Sequence, residues 1–100
     1  MAVIAFLSRI RIHADKQTEF LKICQTLTEK VRAHEPGCLY YAFYKLPYSN
    51  VSYAVFESFI DSNAEAAHRE TDYFKALIPD LLACIDGGFE RTDLMPLPEH

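Results

Sequence analysis

Apolar and polar positions alternate over residues 3–12, VIAFLSRIRI. Ile4, Phe6, Ser8, Ile10 and Ile12 fall on one side, and Val3, Ala5, Leu7, Arg9 and Arg11 on the other. A period of two is that of a strand. Apolar groups on both sides predict a central strand covered on both faces. The period then changes. Phe20, Ile23, Cys24, Leu27 and Val31 recur at helical spacing, with Lys22, Glu29, Lys30 and Arg32 elsewhere on the surface. This predicts an amphipathic helix over 15–34, with Asp15 as its N-cap. Pro36 cannot continue that helix, and Gly37 suits the unusual dihedrals of an exit.

Two further strands follow. CLYYAFYK (38–45) carries Tyr40 and Tyr44 on one face, Tyr41 and Phe43 on the other. LPYSN supplies turn chemistry, and VSYAVFESF (51–59) returns antiparallel. Val51, Tyr53, Val55, Glu57 and Phe59 share one face of this third strand. A second helix starts at Asp61 or Ser62, the latter at capping-box spacing from Glu65. Glu65 and Arg69 are expected to pair on its wet side, with Ala64, Ala67, His68 and Thr71 on the other. A break is expected near Asp72. Phe74, Leu77, Ile78, Leu81, Leu82 and Ile85 then form an apolar stripe, which Pro79 is expected to kink or split. FERTDLM (89–95) predicts a polar edge strand, and PLPEH an arm.

The order β-α-β-β-α-β predicts an α+β, ferredoxin-like fold: one domain over 1–100, with helices on one face of a four-stranded antiparallel sheet. The helices can cover only that face, yet the first three strands are apolar on both. A bare aromatic face of this kind is unusual for a monomer. A second copy is the expected cover, making a homodimeric α+β barrel.

Composition narrows the partners. A net charge of −4 with scattered Lys and Arg argues against nucleic acid. No apolar stretch approaches spanning length, and the N-terminus lacks the basic region of a signal peptide, so neither membrane nor export is expected. Three cysteines without C-x-x-C spacing predict reduced thiols, hence a cytoplasmic location. His13, His34 and His100 show no ligand spacing, and no phosphate loop exists, so no metal or cofactor is expected.

The candidate chemistry centres on AEAAHRETDYF (64–74). His68 either faces a pocket as a base or proton donor, or caps the core against a carboxylate such as Glu57. Glu57 lies in an otherwise apolar strand, where a carboxylate is costly unless paired. It either lines a cavity or supports another residue. Tyr40, Tyr41, Tyr44 and Tyr53 could stack on an aromatic ring and hold an oxyanion, or simply pack the sheet and a dimer interface. Tyr73, just past the helix break, is a candidate at a pocket mouth, with Phe74 beside it. Ser8 places a small hydroxyl on an apolar strand face.

EPGCLYY after a long helix, followed by YAVFESFIDSNAEAAHRETDYF, resembles the antibiotic biosynthesis monooxygenase family of dimeric α+β barrels. Glu35, Gly37, Cys38, Glu57, Phe59, Ala64 and His68 fall at matching places. That family includes cofactor-free oxygenases of anthrones and quinols, haem-degrading enzymes and an isomerase of a signalling molecule. The resemblance implies oxidation of a small aromatic by O₂ in a homodimer, with His68 as a catalytic residue; Tyr73, from its place past the helix break, is the second catalytic candidate. Ser8, Tyr40, Tyr53, Glu57 and Phe74 would line the substrate pocket. Alternatives are an isomerase or tautomerase of a small oxygenated metabolite, and a ligand-binding stress-response dimer without activity. Two departures stand out. Many quinol-oxidising relatives carry a second histidine five residues after the first, where this chain has Tyr73. The haem-degrading Asn, Trp and His are matched in position by Ser8, His68 and Ile78, which argues against that chemistry.

Overall fold

Residues 2–98 are described by the computed structural model, which places four strands and three α-helices around one core. The strands are β1 (Ile4–Arg11), β2 (Cys38–Lys45), β3 (Ser52–Phe59) and β4 (Glu90–Leu94). The helices are α1 (Gln17–His34), α2 (Ser62–Arg69) and α3 (Asp72–Cys84). The sheet order is β2-β3-β1-β4 with every pairing antiparallel. This is the expected α+β ferredoxin-like arrangement, with β1 central and β4 at an edge. Glu99 and His100, the end of the expected arm, lie outside the described residues.

The register sorts the two sheet faces. Phe6 pairs with Glu57, Ser8 with Val55 and Ile10 with Tyr53. Tyr41 pairs with Glu57 and Phe43 with Val55. These side chains share the helix-covered face. Phe20, Ile23, Leu27 and Val31 of α1 bury against it, with Leu81 and Cys84 of α3. Phe20 lies at the centre of this contact, 4.8 Å from the ring of Tyr53 and edge-on to Phe43. The outer face carries Leu7, Phe56, Tyr40, Tyr44 and Leu94. Tyr40 and Tyr44 remain half exposed there, their hydroxyls 2.7 Å apart, and Tyr40 packs on Phe56.

Several local expectations change. Asp15 makes no cap bond: the chain enters α1 through a 3₁₀ turn at Ala14–Lys16, in which Lys16 N–H bonds His13 O. Asp61, not Ser62, caps α2 by accepting from Ala64 N–H, and Thr71 caps α3 by accepting from Phe74 N–H. Two caps so close in sequence explain the break between the helices. Pro79 neither splits nor ends α3. It stands on the exposed side, and its cost of about 3 kcal/mol is outweighed because Leu77, Ile78 and Leu81 pack on the core to either side of it. Gly37 does not adopt a positive φ. It is needed for space: a Cβ there would stand 2.8 Å from the Cβ of Ala64. The turn after α1 thus presses directly on α2.

Glu65 is buried rather than solvated. Its Oε2 accepts from Arg69 at 2.6 Å and from Arg91 of β4 at 2.8 Å. Ala67 is the exposed neighbour instead, because α2 turns Ala64, Glu65 and His68 inward. Burial works against ionisation of Glu65, but the two guanidinium groups prevail and hold its carboxyl below the ordinary value.

Candidate active site

Between the sheet and the helices lies a cavity of about 260 Å³. Phe6, Leu27, Phe43, Val55, Phe74 and Ile78 give it an apolar wall, and its polar groups are few: Ser8, Glu57, His68, Arg69 and Arg91. Mostly apolar walls with a few convergent polar groups are the usual make-up of a small-molecule site. Arg91 reaches it across the sheet edge, its guanidinium 3.7 Å from the centre of the Phe6 ring, a cation–π distance.

His68 is almost wholly buried. It sits in the last turn of α2, and its ring is enclosed by Phe74, Tyr41 and Phe59 at 4.9, 5.4 and 5.5 Å. Its Nδ1 lies 3.0 Å from both carboxyl oxygens of Glu35. Its Nε2 lies 3.8 Å from Glu57 Oε1, beyond a direct hydrogen bond. The ring is therefore flanked by two carboxyl groups, held firmly by one and spaced from the other. An oxygen atom of a ligand could sit at about 2.8 Å from both Nε2 and Oε1.

The two carboxyls differ in surroundings. Burial is the main cause, and the charge of Glu65 the next, that pushes Glu57 up from 4.5 to about 7. Near neutral pH it is partly a neutral acid that can donate a proton. Burial also pushes Cys24 up to about 12 and Cys38 up to about 11, so neither is a ready thiolate. Among the described residues, no group of three His, Cys, Asp or Glu side chains is arranged to hold a metal ion.

Glu57 supports a direct prediction. Its raised value means that the fold favours the neutral carboxyl. Its contribution to stability is whole below about 4.5 and is lost as pH rises through about 7. Glu57→Gln removes that titration. Melting curves at pH 5 and pH 8 should show the variant gaining on the native chain at the higher pH, by up to about 3 kcal/mol. An identical gap at both values would show that Glu57 ionises there without cost.

Of the expected site residues, His68, Ser8, Glu57 and Phe74 meet at the cavity. Tyr40 does not: it stands on the outer sheet face, because strand parity sets it opposite to Tyr41. Tyr53 shares the inner face but lies at the far end of β3, where its hydroxyl accepts from Gln17 at 2.8 Å. Tyr73 is also absent from the cavity wall. Its hydroxyl donates to Glu35 Oε2, behind the histidine, and its ring tilts on His34. Burial, with that bond to Glu35, pushes the phenol up to about 12. Tyr41, a candidate alongside Tyr40, does line the cavity, whereas the sequence did not single out Glu35, Arg69 or Arg91 as site residues. Only the matched E-x-G-C turn pointed toward Glu35.

The sequence model described as antibiotic biosynthesis monooxygenase matches residues 3–80. The chain belongs to this family. A family structure from Caulobacter crescentus is 29% identical and superposes with a TM-score of 0.91, covering 97% of this chain and 92% of that one. A conserved Methanosarcina mazei protein superposes with a TM-score of 0.86 at 25% identity, over 95% of this chain and 93% of its own. An uncharacterised Synechocystis protein is 38% identical over 77 residues, 74% of this chain. The match takes in 52% of that relative, so the chain spans about half the length of the curated protein it matches. No described helix is long and apolar enough to cross a membrane.

Proposed function

We propose that this chain is a cofactor-independent monooxygenase that oxidises a small, electron-rich aromatic of quinol or anthrone type with O₂. The observation that carries this reading is the pairing of His68 Nε2 with a near-neutral Glu57 on an otherwise apolar cavity wall. A base and an acid with separated environments are what such chemistry asks for. His68 takes the phenolic proton. Glu57 donates to the oxyanion that results, as a neutral acid in an apolar site can. The anion passes an electron to O₂, the two radicals combine, and the peroxide is reprotonated and loses water. One oxygen atom ends in the product and the other in water, and the substrate supplies the electrons. The protein desolvates, orients and stabilises.

At about 260 Å³ the cavity falls just under the usual lower bound of about 300 Å³. Rings of quinol size suit it better than larger polycycles. The half-exposed Tyr40 and Tyr44 beside Phe56 support a homodimer closed over the outer sheet face. Cys24, Cys38 and Cys84 as free thiols fit a reducing, cytoplasmic setting.

Oxygen uptake on a panel of hydroquinones and anthrones, without added flavin or metal, tests the reaction. Turnover of at least one quinol is expected, from a protein that sediments as a dimer. No uptake on any member would overturn the reading. The same acid–base pair also suits a second reading, an isomerase of a small oxygenated metabolite, which moves a proton without oxygen. Turnover that persists under anaerobic conditions would select it.

A further inference from the structure

We infer that Glu35 is the positioning residue of this site: it holds His68 with Nδ1 protonated and Nε2 bare toward the cavity. It also steadies the imidazolium that forms once Nε2 takes a proton. The inference rests on reading His68 as the base. It goes further by fixing which nitrogen can act and what keeps it so.

Three observations meet on Glu35. The first is geometry. Nδ1 is 3.0 Å from both oxygens of the carboxyl group, and the Tyr73 hydroxyl donates to one of them. A carboxylate accepts and does not donate, so the hydrogen between the ring and Glu35 belongs to Nδ1. The lone pair then falls on Nε2, the nitrogen nearer Glu57.

The second is location. Glu35 is the C-cap of α1, and its side chain is about nine-tenths buried. The C-terminal end of a helix carries partial negative charge, which disfavours an acidic residue. Burial adds a further cost. Glycine, asparagine or a basic residue would suit the place better. A residue that breaks the local rule at such a position marks a functional requirement met elsewhere. Here the partner is a ring in the last turn of α2, where a cation is favoured. The Glu35 carboxyl thus finds its hydrogen-bond donor on the neighbouring helix rather than on its own.

The third is confinement. Gly37 lets the turn that bears Glu35 press on α2 beside Ala64. Phe74, Tyr41 and Phe59 enclose the ring. A ring turned over would set a carbon against Glu35 in place of Nδ1 and lose that hydrogen bond. This is the logic by which a carboxylate orients a catalytic histidine in hydrolases, built here from a helix cap and a neighbouring helix.

Long-range proton–nitrogen NMR of the intact, ¹⁵N-labelled chain tests the inference without any substrate. His68 should give the pattern of the Nδ1–H tautomer while neutral. Glu35→Gln, whose amide can donate as well as accept, should give a mixed or inverted pattern. Tyr73→Phe should leave Nδ1–H in place. A native His68 that is mainly Nε2–H would overturn the inference, as would Glu35→Gln with an unchanged pattern. The native spectrum decides alone if the variant does not fold. On any substrate found, Glu35→Gln should lower kcat about a hundredfold or more with little change in KM, and an unchanged kcat would also overturn it. If no substrate is turned over, the oxygenase reading fails, while the tautomer still decides the role of Glu35.

Discussion

His68→Gln is expected to lower kcat by about 10² to 10⁴, the usual share of a positioned general base. Glutamine is the better test than alanine. An alanine would leave Glu35 and Glu57 facing a void without their partner, and an unpaired buried carboxyl destabilises the fold on its own. Glutamine keeps much of the volume and can still bond Glu35, but it cannot take a proton. The expected result is thus a protein that melts close to the native chain and has lost turnover. Its KM should change little, because the apolar wall on which the proposed substrate would rest is intact. Rates equal to those of the native chain would remove His68 from the reaction. A variant that loses fold and activity together would call for melting and activity to be compared over a range of temperatures.

Phe20→Ala should be the most damaging single core change. Phe20 is fully buried and touches both Phe43 and Tyr53, so its loss opens a cavity between α1 and the sheet. Such truncations cost about 3–5 kcal/mol, against a total stability of about 5–15 kcal/mol for a domain. For a chain of this length, about 4–8 °C of melting temperature goes with each kcal/mol. A fall of at least about 12 °C is expected. Leu21→Ala, one residue along and half exposed, should cost less than about 1 kcal/mol. Similar losses at the two positions would mean that α1 does not present the face described above.

Much of the architecture was legible because it follows from local periods. The alternation in β1 and β3 and the stripe from Phe20 to Val31 each contain their own answer. So does the helix break, since Thr71 is a good cap whatever surrounds it. What could not be read is what depends on distant chain. Tyr40 and Tyr41 were rightly separated by parity, but parity alone does not say which of them meets the helices. Glu65 looked like a solvated helix residue because Arg91 lies 26 positions away. Pro79 looked like a breaker because the packing that tolerates it comes from α1 and the sheet. Glu57 as a cavity residue was visible, since a carboxylate in so apolar a strand needs a reason. Glu35 was not, because a glutamate before a proline reads as the end of a helix. Its role appears only when residue 68 is set against it.

The bonds behind the histidine join residues 33 and 38 positions apart. No single helix or hairpin of the chain holds a rudimentary form of the centre. During refolding, helical and sheet signals should return before any competence for chemistry does. Turnover would then measure the last stage of assembly rather than the amount of ordered backbone.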